Sequence, residues 1–442
     1  MSTQITNLMR KYIILLFFLE CLIMRPTVST AKTHQDEWTS PKNIPNWNGV
    51  YDETTHVPIT PPPSESVRWV AEWEDMEGVL MAWPYFSDVL NVLAHARWSE
   101  IFCRMVNELQ EIGVVYMLYV DESQRIEIRC QLILHGVPLT NIEWINFRYN
   151  TIWTRDYGPQ NIWGQESGDW GIVDFRYPFM RHWDNNINPK LHVLWNTDYY
   201  SSSLVTEGGN LCPDGMGRVF CTNWILQENV GPRSHNMSEE EVRLILREYL
   251  NVELFILPQP PISPHLDMCA KLVDPETWIV GEWPADDPNT PYMDKLVSIL
   301  ENMTASTGNP YKIYRIQQPN RLKSGYWRTY TNAYMENGKV LVPIYGVEQD
   351  NAALAVYQQA LPGWKIVGID CTVYDGTGGA IHCSTDGIVS HDQVSLLYSV
   401  LKTEDIDVQA RNSSDTWTTY KLIQGMAIVI LSYDPKYAIC GI

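Results

Sequence analysis

Apolar positions along the chain follow two alternating periods. Residues 90–112 have helical spacing, and the run Val-Val-Tyr-Met-Leu-Tyr-Val at 114–120 has the length and composition of a buried strand. Residues 122–135 predict a second helix, and 142–147 a strand running toward Thr154-Arg155-Asp156. Ser238 and Glu241 form a capping-box pair ahead of a helix whose apolar face is Val242, Ile245, Leu246, Tyr249 and Leu250. Strands are expected at 252–257, 277–282 and 311–316, with a helix at 294–305. Asn337-Gly338 between apolar runs signals a hairpin. A helix at 350–361 and a strand at 364–371 lead into a glycine-rich stretch, followed by a helical pattern at 389–401 and a strand at 426–432. The element order recurs as a weak structural repeat without a clear sequence repeat.

The ends of the chain break this pattern. Residues 1–31 have the form of a secretory signal: Arg10 and Lys11 precede an apolar run, and Ser29-Thr30-Ala31 supplies small residues for cleavage. The run is short for a membrane span and is interrupted by Glu20, so a retained N-terminal anchor is the competing reading. The expectation is a secreted protein. Residues 32–66 are polar and proline-rich and read as a leader lying on the surface. The domain proper is assigned to 67–400, with 401–442 as a C-terminal extension packed on it.

Composition narrows the partners. The 442 residues are 45% hydrophobic, 19% charged and carry a formal net charge of -20. Such a chain is globular and repels nucleic acid and anionic lipid, whereas cationic small molecules and basic peptides are compatible partners. Excess surface carboxylates also explain the charge as a solubility device. Cys212 and Cys221 flank a turn-like Pro213-Asp-Gly-Met-Gly217, so a cross-strand disulfide competes with two buried thiols.

Four short segments place ionisable groups beside glycines or apolar runs. They are Trp153-Thr-Arg-Asp-Tyr-Gly-Pro159, Glu207-Gly-Gly-Asn210, His265-Leu-Asp267 and Gly378-Gly-Ala-Ile-His-Cys383. Each alone has an ordinary explanation: Asp156 pairing with Arg155, Glu207 at a hairpin edge, His265 and Asp267 as a surface pair, Cys383 as a buried thiol. Together, in this order, they exceed what chance alone would place.

The set resembles the agmatine deiminase and bacterial (Porphyromonas-type) peptidylarginine deiminase family of the guanidino-group-modifying superfamily. Val70-Ala-Glu-Trp-Glu-Asp-Met-Glu-Gly-Val-Leu80 and Tyr330-Thr-Asn332 belong to the same resemblance, which runs from about Val67 to Asp386. It implies an α/β fold, a five-bladed α/β propeller (pentein) forming a single catalytic domain. It also implies a hydrolase for C–N bonds of linear amidines that needs no cofactor and no metal. Cys383 would be the nucleophile and His265 the general acid and base. Asp156 and Asp267 would hold the guanidinium, Glu207 would orient the histidine, and Asn332 and Trp153 would line the substrate.

The substrate tail divides the readings. Agmatine, deiminated to N-carbamoylputrescine in putrescine biosynthesis, carries a distal ammonium. Arginine, free or C-terminal in a peptide, carries a carboxylate that an arginine would bind. Peptidyl-type members have an arginine pair soon after Val-Asp-Phe; here Arg181 matches one of the pair, Phe179 replaces the other, and Arg176 is a further candidate. Agmatine is the favoured substrate, with arginine or peptidylarginine as the alternative. An amidinotransferase and a non-catalytic binding protein are the readings from other classes.

Overall fold

The computed structural model describes residues 58–84, 92–178, 181–231, 236–319, 328–374 and 379–389, with strands at 407–411, 417–423 and 426–428. The signal-like segment, residue 179 and the helix expected at 389–401, apart from Val389 which ends a strand, lie outside the described residues.

The domain opens with β1 (Val67–Trp69) and β2 (Met76–Ala82). Helix α1 (Val92–Leu109) returns the chain to β3 (Val114–Tyr119), parallel to β2, and α2 (Glu122–Leu134) returns it to β4 (Ile142–Asn146), parallel to β3. A single turn, α3 (Thr154–Tyr157), then leads to β5 (Gln160–Gly164) and β6 (Trp170–Arg176), an antiparallel pair with β1 on its outer edge. Helices α4 (His182–Asn185) and α5 (Ile187–Trp195) cross to β7 (Asp198–Val205), parallel to β6.

The same module repeats three times. Strands β8 (Cys212–Pro213) and β9 (Arg218–Thr222) are antiparallel; α6 (Trp224–Asn229) and α7 (Glu239–Leu250) connect them to a parallel β10 (Glu253–Leu257). Strands β11 (Ala270–Asp274) and β12 (Thr277–Glu282) pair likewise, and α8 (Thr290–Glu301) leads to β13 (Lys312–Gln317). Strands β14 (Tyr334–Glu336) and β15 (Lys339–Ile344) follow, then α9 (Asp350–Ala360) and β16 (Lys365–Asp370). Finally β17 (Asp386–Val389) pairs antiparallel with β2, Asp386 opposite Leu80, so the last strand of the domain completes its first sheet. Five of the sheets among the described residues thus share an antiparallel-then-parallel plan, and a sixth joins the strands after 406.

Local chemistry accounts for most boundaries. The Ser238 hydroxyl accepts from the Glu241 N–H and the Glu241 carboxylate from the Ser238 N–H, the reciprocal cap expected. Asn337 and Gly338 take φ of 43° and 82° between β14 and β15, the left-handed pair that a tight hairpin needs. Helix α8 begins four residues before the expected 294. Pro291 sits in its first turn, where its missing N–H costs nothing, and it ends by Asn302. The inner strands are covered on both faces, so β3 is buried from Val115 to Tyr119 and β2 almost throughout. In the leader, Thr60 exchanges two hydrogen bonds with Ser201.

The cross-strand disulfide is not formed. Register places Cys212 opposite Phe220, so Cys221 directs its side chain to the other face of the sheet, and both are free thiols.

Candidate active site

The four sequence segments converge. Asp156 lies in the turn α3, which is pinned at both of its other polar residues. The Thr154 hydroxyl donates to the Leu80 carbonyl, and Arg155 donates to the Thr385 carbonyl and pairs with Asp386 at 3.0 Å. Arg155 therefore serves the β2–β17 junction rather than Asp156. The Asp156 carboxylate is buried and accepts from the Gly209 N–H at 3.3 Å and the Tyr177 hydroxyl at 3.4 Å.

Glu207 ends the loop after β7, and His265 precedes a single 3-10 turn that carries Asp267. His265 Nε2 lies 2.7 Å from Glu207 Oε2, which also accepts from the Trp224 indole at 3.1 Å. The other ring nitrogen is 3.7 Å from Asp156 Oδ1. His265 thus stands between two carboxylates.

Cys383 sits in a turn stapled by Asn332. The Asn332 side-chain oxygen accepts from the Ala380 and Cys383 N–H groups. Its amide nitrogen lies 2.9 Å from Asp267 Oδ2 and 3.1 Å from Cys383 Sγ. The thiol itself is 3.5 Å from the same Asp267 oxygen. The other oxygen, Asp267 Oδ1, is buried with no hydrogen-bond partner among the described residues.

Glycines make this density feasible. A Cβ on Gly209 would fall 2.8 Å from His265 Nδ1, 3.0 Å from Asp156 Oδ1 and 3.1 Å from Asp267 Oδ2. A Cβ on Gly379 would fall 2.8 Å from Cys383 Sγ and 3.1 Å from the Trp153 ring, which places Trp153 beside the thiol loop. These contacts explain the glycine before Asn210 and the one before Ala380.

The electrostatics suit a cation. Burial alone would lower the His265 pKa, but Asp156 and Glu207 outweigh it and raise it to about 10, so the ring is held protonated. Burial raises Asp156 to about 7, with His265 opposing. Burial also acts against the charge on Glu207 and Asp267. His265 holds Glu207 below its ordinary value, and His382 does the same for Asp267. Burial, Asp267 and Asp156 push the Cys383 thiol well above its ordinary value.

The two candidate arginines part company. Arg181 donates to the Tyr177 hydroxyl, with its guanidinium 4.8 Å over that ring, and so reaches Asp156 through one residue. Arg176, at the end of β6, is half-buried, and its Nε has no hydrogen-bond partner among the described residues.

A model of the Porphyromonas-type peptidyl-arginine deiminase family matches residues 68–388. The chain belongs to that family. This makes it a hydrolase of C–N bonds in linear amidines. A Shewanella frigidimarina protein provisionally named agmatine deiminase is 27% identical over 368 residues, covering 75% of this chain and 96% of its own. The solved agmatine deiminase of Enterococcus faecalis shares the fold at TM-score 0.63 and 24% identity, covering 74% of this chain and 96% of its own. That of Campylobacter jejuni ("C. Jejuni") does so at TM-score 0.62 and 21% identity, over 74% and 97%.

Sequence reading missed several members of this site. Glu72, His382 and Lys271 form a buried chain behind Asp267, with Glu72 taking His382 Nε2 at 2.8 Å and Lys271 at 2.8 Å. Glu72 and His382 lie inside motifs that were noticed, but each had only a near neighbour to explain it. Tyr177 and Trp224 gave no signal beyond being aromatic.

Proposed function

We propose that this enzyme hydrolyses a guanidinium group through a covalent intermediate on Cys383. The observation that carries the reading is the buried, unpartnered Asp267 Oδ1, set beside Asp156, the protonated His265 and the thiol. A buried carboxylate oxygen demands a donor, and a guanidinium offers a fork of them. Part of the same proposal is that the five like sheets are blades of a propeller, with loops from several blades supplying the site. Secretion is retained as a proposal from the signal-like segment at residues 1–31.

The free thiol is protonated. A guanidinium bound against Asp267 and Asp156 brings positive charge to the sulfur, and the thiol proton leaves to solvent. The thiolate adds to the central carbon and gives a neutral tetrahedral adduct. His265 donates its proton to the departing nitrogen, and ammonia leaves a cationic thiouronium. Neutral His265 then takes a proton from water, and the hydroxide adds to the carbon. Collapse expels the Cys383 thiolate, and the protonated urea returns a proton to it. Glu207 keeps His265 in position and favours its charged form.

Agmatine remains the first substrate. Its distal ammonium fits a site rich in carboxylates, including Glu228, which burial and then Glu207 push up to about 8 and whose Oε2 is buried without a partner among the described residues. Arg181 favours the second reading, because it adds a cation next to Tyr177 and Asp156, where a substrate carboxylate would be welcome. The test compares ammonia and ureido product from agmatine, free arginine and a peptide ending in arginine, with Arg181→Ala and Glu228→Gln alongside. Loss of a charge-assisted contact costs about 1.5–3 kcal/mol, roughly ten- to hundredfold in kcat/KM. Under the agmatine reading Glu228→Gln loses this factor on agmatine and Arg181→Ala does not. Under the arginine reading Arg181→Ala loses it on arginine or the peptide. Amidine transfer to an added amine in place of release of ureido product would overturn the hydrolytic reading.

A further inference from the structure

We infer that His382 is a positioning residue that fixes Asp267 for guanidinium binding, anchored from behind by Glu72 and Lys271; the inference rests on the guanidinium reading above. His382 Nδ1 is 2.7 Å from Asp267 Oδ2, and its Nε2 is 2.8 Å from Glu72 Oε2. Each ring nitrogen faces a carboxylate oxygen. Glu72 is itself fixed. It takes Lys271 Nζ on both oxygens at 2.9 and 2.8 Å, and its Oε1 also accepts from the Met335 N–H at 3.0 Å. His382, Asp267 and Lys271 are all buried. The ring therefore has one rotamer open to it, held at both ends.

The consequence falls on Asp267. Its Oδ2 is engaged by His382 and Asn332, which leaves Oδ1 as the oxygen free to meet substrate. The chain of contacts runs from Lys271 through Glu72 and His382 to the carboxylate beside the thiol. A cavity of about 60 Å³ lies along this chain, lined by Glu72, Lys271, His382 and Asp267 with Arg155 and Asp386. Asp267 lines this cavity, and the hydrogen bonds from His382 and Asn332 orient it there. His382 does not meet the reacting atoms. It acts through Asp267, which binds ground state and transition state alike, so the loss should appear in KM.

The test uses the full chain and whichever of agmatine, arginine or a C-terminal-arginine peptide the wild type turns over. His382→Gln keeps a donor near Glu72 and loses the one to Asp267. His382→Asn places its amide nitrogen near the Nδ1 position, keeping the donor to Asp267 and losing the arm to Glu72. Expected is a KM rise of about ten- to hundredfold for His382→Gln with kcat within about threefold, as for loss of a bond to a charged group, and recovery of most of that KM in His382→Asn. Far-UV circular dichroism and thermal unfolding confirm that each variant is folded. An unchanged KM in folded His382→Gln, or equal losses in both variants, overturns the inference while leaving the guanidinium reading intact. Wild type that deiminates none of the three substrates overturns the guanidinium reading and this inference with it.

Discussion

An alanine at position 209 would put a methyl group in the middle of the candidate site. The new carbon would lie 2.8 Å from His265 Nδ1, 3.0 Å from Asp156 Oδ1 and 3.1 Å from Asp267 Oδ2. These fall short of an ordinary 3.4 Å contact by 0.6, 0.4 and 0.3 Å, so three functional groups must spread. Overpacking of this kind costs about 1–3 kcal/mol, a Tm loss of several degrees in a domain of this size. Catalysis should suffer more than stability, since a displacement of about 1 Å can cost on the order of a hundredfold in rate. We therefore expect Gly209→Ala to fold and to lose roughly ten- to hundredfold in kcat/KM. The assay is release of ureido product, with Tm measured on the same preparation. A folded variant within about twofold of wild-type kcat/KM would refute the claim that these three groups form one working site.

Glu207→Gln removes one of the three carboxylates that raise His265 to about 10, so the alkaline limb of kcat/KM should shift toward neutral pH. The raised pKa also has a stability sign. Its contribution is present in full below the unfolded value of about 6.5 and lost as pH rises through about 10, so wild-type Tm should fall between pH 7 and pH 10 and fall less in Glu207→Gln. The free Cys383 thiol, raised by burial, Asp267 and Asp156, should react slowly with iodoacetamide at pH 7 and speed up only above pH 9; fast labelling at pH 7 would contradict that electrostatic picture.

Elements with a local cause were legible, and contacts across the chain were not. The capping box at Ser238 and the Asn337-Gly338 hairpin carry their signals within a few residues, and both appear where expected. Helix α8 slipped by four residues because the apolar periodicity continued past its end while Pro291 marked its true start. The Cys212 and Cys221 pairing failed for a reason one residue wide, since the strand register decides which face each thiol takes. Motifs located Cys383, His265, Asp156, Asp267 and Glu207, and their convergence follows from loops at the ends of separate sheets. His382 with Glu72 was not readable, because its meaning lies in a partner 310 residues away. Arg176 and Arg181 were both candidates in sequence, Arg181 alone matching the family's pair, and Arg181 is the one that donates to Tyr177.

The central claim is covalent attack by Cys383 on a guanidinium carbon. It is tested most directly by mixing the enzyme with agmatine, arginine or a C-terminal-arginine peptide, quenching in acid and mapping the peptide that contains Cys383 by mass. Expected is a thiouronium adduct on Cys383 that retains the substrate less one ammonia, is absent in Cys383→Ser, and appears together with ureido product and ammonia in wild type. Ureido product formed at undiminished rate by Cys383→Ser would contradict it.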